Sequence, residues 1–263
     1  MRDTWRHRLQ RAEHLAADGS ASVPLVAFYA ALLRVQEDLY NTLSALPSWR
    51  PSGALDHDLP AFRRQLPAVL RAIATVAPEP LAREARVLLE AEAGRLDQML
   101  LAFWRAPSDR QFFAKVILQP YAQWLAERGA APVGRGLPRA DNRCPFCAGT
   151  PQLSMFRGAS DSALEGGGRA LQCATCFTTW PFRRVVCTHC GEEDERRLGY
   201  FQSPAFEHLR VEACDTCGHY LKGIDLTRLG VAVPIVDEVA GAPLDAWARE
   251  HGYEKIELNL VGL

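Results

Sequence analysis

Apolar residues in the first half of the chain recur at steps of three and four. Leu25, Phe28, Leu32, Val35, Leu39, Leu43 and Leu46 fall on one side of a helix that opens at Ser22 and Pro24 and ends at Pro47. The same step sets Phe62, Leu66, Val69, Leu70 and Ile73 on a second stripe, and Leu81, Ala85, Leu88, Leu89, Leu96, Leu100 and Phe103 on a third. Phe112, Phe113, Val116, Ile117, Tyr121, Trp124 and Leu125 form the last. Each stripe needs a partner to bury it, so together with a short first helix they predict a helical bundle over residues 1–129. Gly19, Pro60, Pro78-Glu79-Pro80 and the capping turn Pro107-Ser108-Asp109 punctuate the bundle, and Pro120 is expected to kink its last helix. Trp104, Phe112, Phe113 and Trp124 sit at helical spacing and read as core rather than as a ligand cavity. From 130 to 142 the periodicity stops, and a Gly- and Pro-containing run reads as a linker.

Beyond the linker the pattern is set by cysteine. All eight cysteines lie in four Cys-x-x-Cys knuckles: Cys144 and Cys147, Cys173 and Cys176, Cys187 and Cys190, Cys214 and Cys217. The first pair of knuckles is offset from the second pair by 43 and 41 residues, as expected of one ribbon unit used twice in tandem, over 143–183 and 184–224. Each unit is expected to place its two knuckles on two hairpin turns, with four sulfurs converging on one ion. The Gly166-Gly167-Gly168 run fits the hairpin turn between knuckles. A unit of this size has little core, so the ion supplies most of its folding energy. Sequential pairing closes loops of ordinary length; interleaved pairing of first with third and second with fourth fits the spacing as well. Four thiolates accept zinc or iron equally, and two metal ions per chain are expected.

The fold class is therefore α with a small β part: an N-terminal helical bundle, two tandem four-cysteine zinc-ribbon or rubredoxin-like units, and a C-terminal tail over 225–263 with a helix. Hydrophobic residues make up 48% of the 263 and charged residues 23%, which excludes a disordered or coiled-coil chain. No early segment reads as a signal peptide or membrane span, and paired thiolates suit a reducing compartment, so a cytoplasmic protein is expected. Residues 1–143 carry 19 basic and 15 acidic side chains and residues 144–263 carry 11 and 16, so +4 and −5 give the net −1. Eight thiolates on two divalent ions would make the second half more acidic still, which argues against nucleic acid as a partner. Closed four-cysteine shells leave no open position for a catalytic water, and no Ser-His-Asp spacing, phosphate loop or dinucleotide fingerprint is present, so no enzyme is expected. His189, inside the third knuckle, and His219, just after the fourth, read as exposed turn residues, the alternative being that they replace a cysteine or tune a sulfur by hydrogen bonding.

The order Arg143-Cys-Pro-Phe-Cys-Ala-Gly149, Ala170-Leu-Gln-Cys-Ala-Thr-Cys176 with Trp180, Val186-Cys-Thr-His-Cys190 and Glu212-Ala-Cys-Asp-Thr-Cys-Gly-His-Tyr-Leu-Lys222 resembles the FdhE family of formate dehydrogenase accessory (formation) proteins. Asp237-Glu-Val-Ala240, Pro243-Leu-Asp-Ala-Trp247, His251-Gly-Tyr253 and Asn259-Leu-Val-Gly-Leu263 resemble its tail. The specific likeness covers roughly residues 143–263. The sequence departs from the family's pattern at Thr179-Trp180-Pro181-Phe182. The resemblance implies a cytoplasmic maturation factor that binds the molybdenum-containing catalytic subunit of respiratory formate dehydrogenase before export and turns nothing over itself. It also implies rubredoxin-type iron on the eight cysteines. Two other readings compete: a nucleic-acid-binding double zinc ribbon touching phosphate through Arg183-Arg184 and Arg196-Arg197, and a rubredoxin-like electron carrier.

Overall fold

A computed structural model of the chain describes residues 2–17, 22–46, 50–92, 94–134, 141–158 and 168–263. Helices α1 (Arg2–Ala16), α2 (Val23–Ser44), α3 (Leu55–Phe62), α4 (Leu66–Val76), α5 (Glu79–Glu90), α6 (Arg95–Arg105) and α7 (Phe112–Arg128) form the bundle. Its centre is α7, buried continuously from Phe113 to Leu125. Trp104 and Trp124 are 2% and 1% exposed, which places the aromatic stripe in the core.

The sequence pattern missed by one residue at the start of α2. There Val26, Tyr29 and Ala30 are buried while Leu25 and Phe28 are half-buried, because the helix is covered on two sides, by α1 and by α7. Ser22 does stand just before α2, yet its hydroxyl donates to the Ala240 carbonyl at 2.8 Å instead of capping the helix. Pro120 lies inside α7 and cannot donate to the Val116 carbonyl one turn back. Gln36 of α2 supplies the missing donor, its Nε2 reaching Val116 O at 3.0 Å, so a helix defect becomes an interhelical contact. Gly19 and Pro47, read as helix punctuation, lie outside the described residues, as do Gly166 and Gly167 of the glycine run and positions 135–140 of the linker. The linker's first part is tied to the bundle: Val133 N donates to Gly53 O, and Val133 O accepts from Trp104 Nε1.

The second half is one sheet. Strands β1 (Pro151–Phe156), β2 (Arg169–Cys173) and β3 (Thr179–Phe182) form one antiparallel unit; β4 (Leu198–Gln202), β5 (Leu209–Cys214) and β6 (His219–Asp225) form the other. The strand order is β3-β2-β1-β6-β5-β4, with a short β7 (Glu254–Lys255) also pairing with β6. The two units fuse through parallel pairing of β1 with β6, Leu153 opposite Lys222. Each unit runs knuckle, strand, strand, knuckle, strand, so only its second knuckle occupies a strand hairpin. The expectation of two hairpin knuckles per unit is corrected accordingly. Helices α8 (Pro234–Ala240) and α9 (Ala242–Glu250) follow; α8 packs on β1 and β6 and also on α1 and α2. A bidentate pair from Arg11 of α1 to Asp237 of α8, at 3.0 and 2.5 Å, bridges the bundle and the sheet layer.

Candidate metal centre

The knuckles pair sequentially. Cys144, Cys147, Cys173 and Cys176 form one group and Cys187, Cys190, Cys214 and Cys217 the other, the sulfurs of each group lying within 4.8 Å of one another. Interleaved pairing is excluded by this geometry. Cross-knuckle sulfur separations are 3.6 and 3.4 Å in the first group and 3.7 and 3.8 Å in the second. A tetrahedral ion with metal–sulfur bonds near 2.3 Å needs sulfurs about 3.8 Å apart, so the donor sets fit zinc or iron.

Local backbone chemistry builds the knuckles. In three of them the first cysteine's carbonyl accepts the amide of the residue after the second cysteine: Ala148 to Cys144, Gly191 to Cys187, Gly218 to Cys214. That following residue is left-handed in all four, with φ of 54° at Ala148, 60° at Phe177, 80° at Gly191 and 68° at Gly218. Glycine adopts this conformation freely, whereas Phe177 must be held in it. It is held by the bundle, whose Arg8 guanidinium lies 4.4 Å from its ring. Backbone amides of Thr175 and His189 point at Cys173 and Cys187 sulfurs at 3.3 Å, which favours thiolate. Hydrogen bonds from the thiols of Cys147, Cys173 and Cys176 pull the Cys144 thiol down, while burial pushes the Cys173 thiol up. A buried cluster therefore resists a full set of thiolates until a cation enters it.

The two sites differ in exposure. The first is sealed, with its four cysteines between 0% and 2% exposed, because the bundle closes over it. Gln119 of α7 donates to the Ala174 carbonyl within the second knuckle at 2.8 Å, and Thr150 donates to Glu257 at 2.5 Å. In the second site Cys190 is exposed and Cys217 half-buried. The His189 and His219 rings stack beside it, centroids 3.8 Å apart, and both come within 4.8 Å of Cys217 Sγ. His189 is exposed, as a turn residue should be, and the hairpin geometry also brings both rings to the Cys217 sulfur, the alternative the sequence left open.

A further constellation supports the sheet from below. Lys222, Glu238 and Asp245 are wholly buried and Lys255 nearly so. Lys222 Nζ meets Asp245 Oδ2 at 2.5 Å and Glu238 Oε1 at 3.0 Å; Lys255 Nζ meets Asp245 Oδ1 at 3.0 Å and also pairs with Glu238. Tyr220 donates to Asp245 at 2.8 Å, and Asn259 to Glu238 at 2.9 Å. Burial alone pushes the Glu238 carboxyl up, but the Lys222 and Lys255 ammonium groups outweigh it and hold it at about 2. For Lys222 burial works against the charge, and Asp245 with Glu238 raises it above the ordinary lysine value. On the opposite sheet face Glu212 accepts from Arg169 at 2.5 Å, Arg210 at 2.9 Å and Ser154 at 2.9 Å. Gly223 lies beneath this carboxylate, where a Cβ would stand 2.4 Å from Glu212 Oε1. Of the arginines expected to touch phosphate, Arg183 is paired with Asp141 and Glu193, and Arg196 with Asp194.

A helical bundle clamped onto a fused double ribbon defines a ribbon protein with two four-cysteine clusters, each of which could hold a metal ion. The family model of the FdhE C-terminal domain matches residues 185–261. An FdhE homologue of Aquifex aeolicus is 34% identical over 152 residues, covering 58% of this chain and 52% of that protein. One from Haemophilus influenzae is 28% identical and matched over 66% of its length, and one from Pseudomonas aeruginosa is 26% identical over 99% of this chain and 90% of its own. The chain thus matches between about half and two thirds of the first two relatives' lengths. The crystal structure of the Pseudomonas aeruginosa FdhE protein superposes with a TM-score of 0.73 at 25% identity, covering 99% of this chain and 96% of that one. The chain is thus similar to FdhE proteins along nearly its whole length, and to the FdhE C-terminal domain over residues 185–261. Among the described residues no helix is long and apolar enough to cross a membrane.

Proposed function

We propose that the protein serves the formation of formate dehydrogenase as a cytoplasmic assembly factor, binding the molybdenum-containing catalytic subunit before export and catalysing no reaction itself. Likeness to an FdhE structure along 99% of the chain carries this reading, since bundle and ribbons are matched together rather than the ribbon motif alone. The eight cysteines are proposed to hold two ions, iron or zinc, that lock the ribbons in shape. Closed four-sulfur shells support a structural role for these ions, as they leave no position for substrate or water. We further propose functional units at 1–129, 143–183, 184–224 and 225–263 with a linker at 130–142, the first unit bracing the first metal site.

The test is affinity capture of the tagged full chain from its own host grown without oxygen, with mass spectrometry of the co-purifying proteins. The catalytic subunit of a formate dehydrogenase is expected, and its yield should fall severalfold in the Cys144→Ala, Cys147→Ala double variant. Capture of nucleic acid in its place would overturn the proposal.

A further inference from the structure

One end of the sheet carries a recess of about 540 Å³, lined among others by Phe156, Arg184, Val185, Tyr200, Arg210 and Thr227. A volume of this size lies within the range of ordinary ligand sites. Its chemistry is cationic and apolar together. The Arg210 guanidinium lies 3.8 Å from the Phe156 ring centroid and 5.0 Å from that of Tyr200. Its Nε and Nη2 face Glu212, which also accepts from buried Arg169, so two arginines share one carboxylate and a positive charge is left over. At the rim Arg184 has no carboxylate partner among the described residues. The one acidic residue of the lining, Asp225, is occupied by Thr227 and Arg228.

Val185 and Tyr200 are 38% and 46% exposed, so two of the protein's large exposed hydrophobic side chains share this one recess. Exposed Tyr and Val interleaved with Arg is the composition of a protein-binding surface rather than of a phosphate cradle built from backbone amides. Tyr200 belongs to β4, the edge strand of the sheet, whose outer side is free to pair with an extended chain among the described residues. In an extended peptide successive side chains point to opposite faces, so carboxylates at every second position would meet the arginines of the recess together, while the intervening apolar groups turn to the other face of the sheet, where half-buried Phe201 of β4 packs on Trp247. The rest of this half is acidic, which would repel such a peptide elsewhere and steer it to the recess.

We propose that this recess and the β4 edge form a docking site for an extended protein segment in which acidic and apolar residues alternate. The inference is independent of which enzyme the protein serves. It is tested with the metal-loaded full chain and a fluorescein-labelled eight-residue peptide of alternating Asp and Val, followed by anisotropy. The Asn-Val analogue and an eight-nucleotide oligo-dT serve as competing probes. Saturable binding is expected, weakened about tenfold in the Asn-Val analogue and in Arg184→Glu, retained in Arg184→Lys, and falling with salt. No binding of the Asp-Val peptide, equal binding of the Asn-Val analogue, or preference for oligo-dT would each overturn the proposal. Arg86→Glu on the distant helix α5 controls for net charge and should leave the affinity unchanged. Failure here leaves the formate dehydrogenase reading standing, because the capture experiment does not use this probe.

Discussion

Replacing Cys144 and Cys147 together with serine is expected to unfold the ribbon half of the molecule. The first site contributes its four cysteines to the continuous core. Metal binding in isolated zinc-binding units supplies roughly 10–16 kcal/mol, against about 5–15 kcal/mol of net stability for a whole domain. Loss of one ion is thus as large as the entire margin. Because β1 is paired in parallel with β6, the damage should cross into the second unit. Hydrogen–deuterium exchange should show lost protection in β1, β2 and β3 and weakened protection in β6, while α4 and α5, which pack on each other within the bundle, stay protected. A double variant whose strands keep native protection would show that the sulfurs are not what holds the ribbon.

The second large effect belongs to the buried charges. Lys222→Met leaves Glu238 and Asp245 with a single ammonium partner in a fully buried site. Breaking a buried pair from one side costs about 3–5 kcal/mol, so the urea midpoint at pH 7 should fall steeply or the chain should not accumulate. Lys222→Met combined with Asp245→Asn should recover part of the loss, since charge balance is restored and only the geometry is altered. Acid has the same target. Glu238 is held at about 2 in the fold, below the ordinary carboxylate value near 4.3 that it regains on unfolding. Its contribution is fully present above the unfolded value and is lost as the pH falls from about 4.3 towards 2. Urea midpoints measured across that window should drop for the parent chain and drop less for Glu238→Gln, which starts lower. A parent chain equally stable at both ends would contradict the assignment.

Much of this architecture was legible in the sequence. Helical spacing found the bundle, because a buried stripe repeats every three or four residues whatever it packs against. The four knuckles foretold both four-sulfur clusters, because ligand spacing on a turn is local. What was not legible came from long-range geometry. Fusion of the two ribbons needs β1 and β6 to meet, and no local pattern marks a parallel pair between repeats. The turn after each knuckle is signalled by glycine at 191 and 218, but Ala148 and Phe177 adopt the same left-handed form without a marker. Glu238 and Asp245 lay within the tail motifs that resemble the family, yet their burial becomes apparent only when α8 and α9 are laid on the sheet. Gly223 likewise becomes intelligible only with Glu212 above it.

The central claim is that two separate four-cysteine sites, one sealed and one open at its edge, each hold one ion. Native mass spectrometry of the anaerobically purified chain during titration with a chelator tests it most directly. The account predicts a parent mass carrying two ions, then a stable one-ion species as the exposed site around Cys190 empties, and last the loss of the ion sealed beneath the bundle. Masses showing a single ion shared by the eight sulfurs, both ions leaving together, or disulfides with no metal would contradict it.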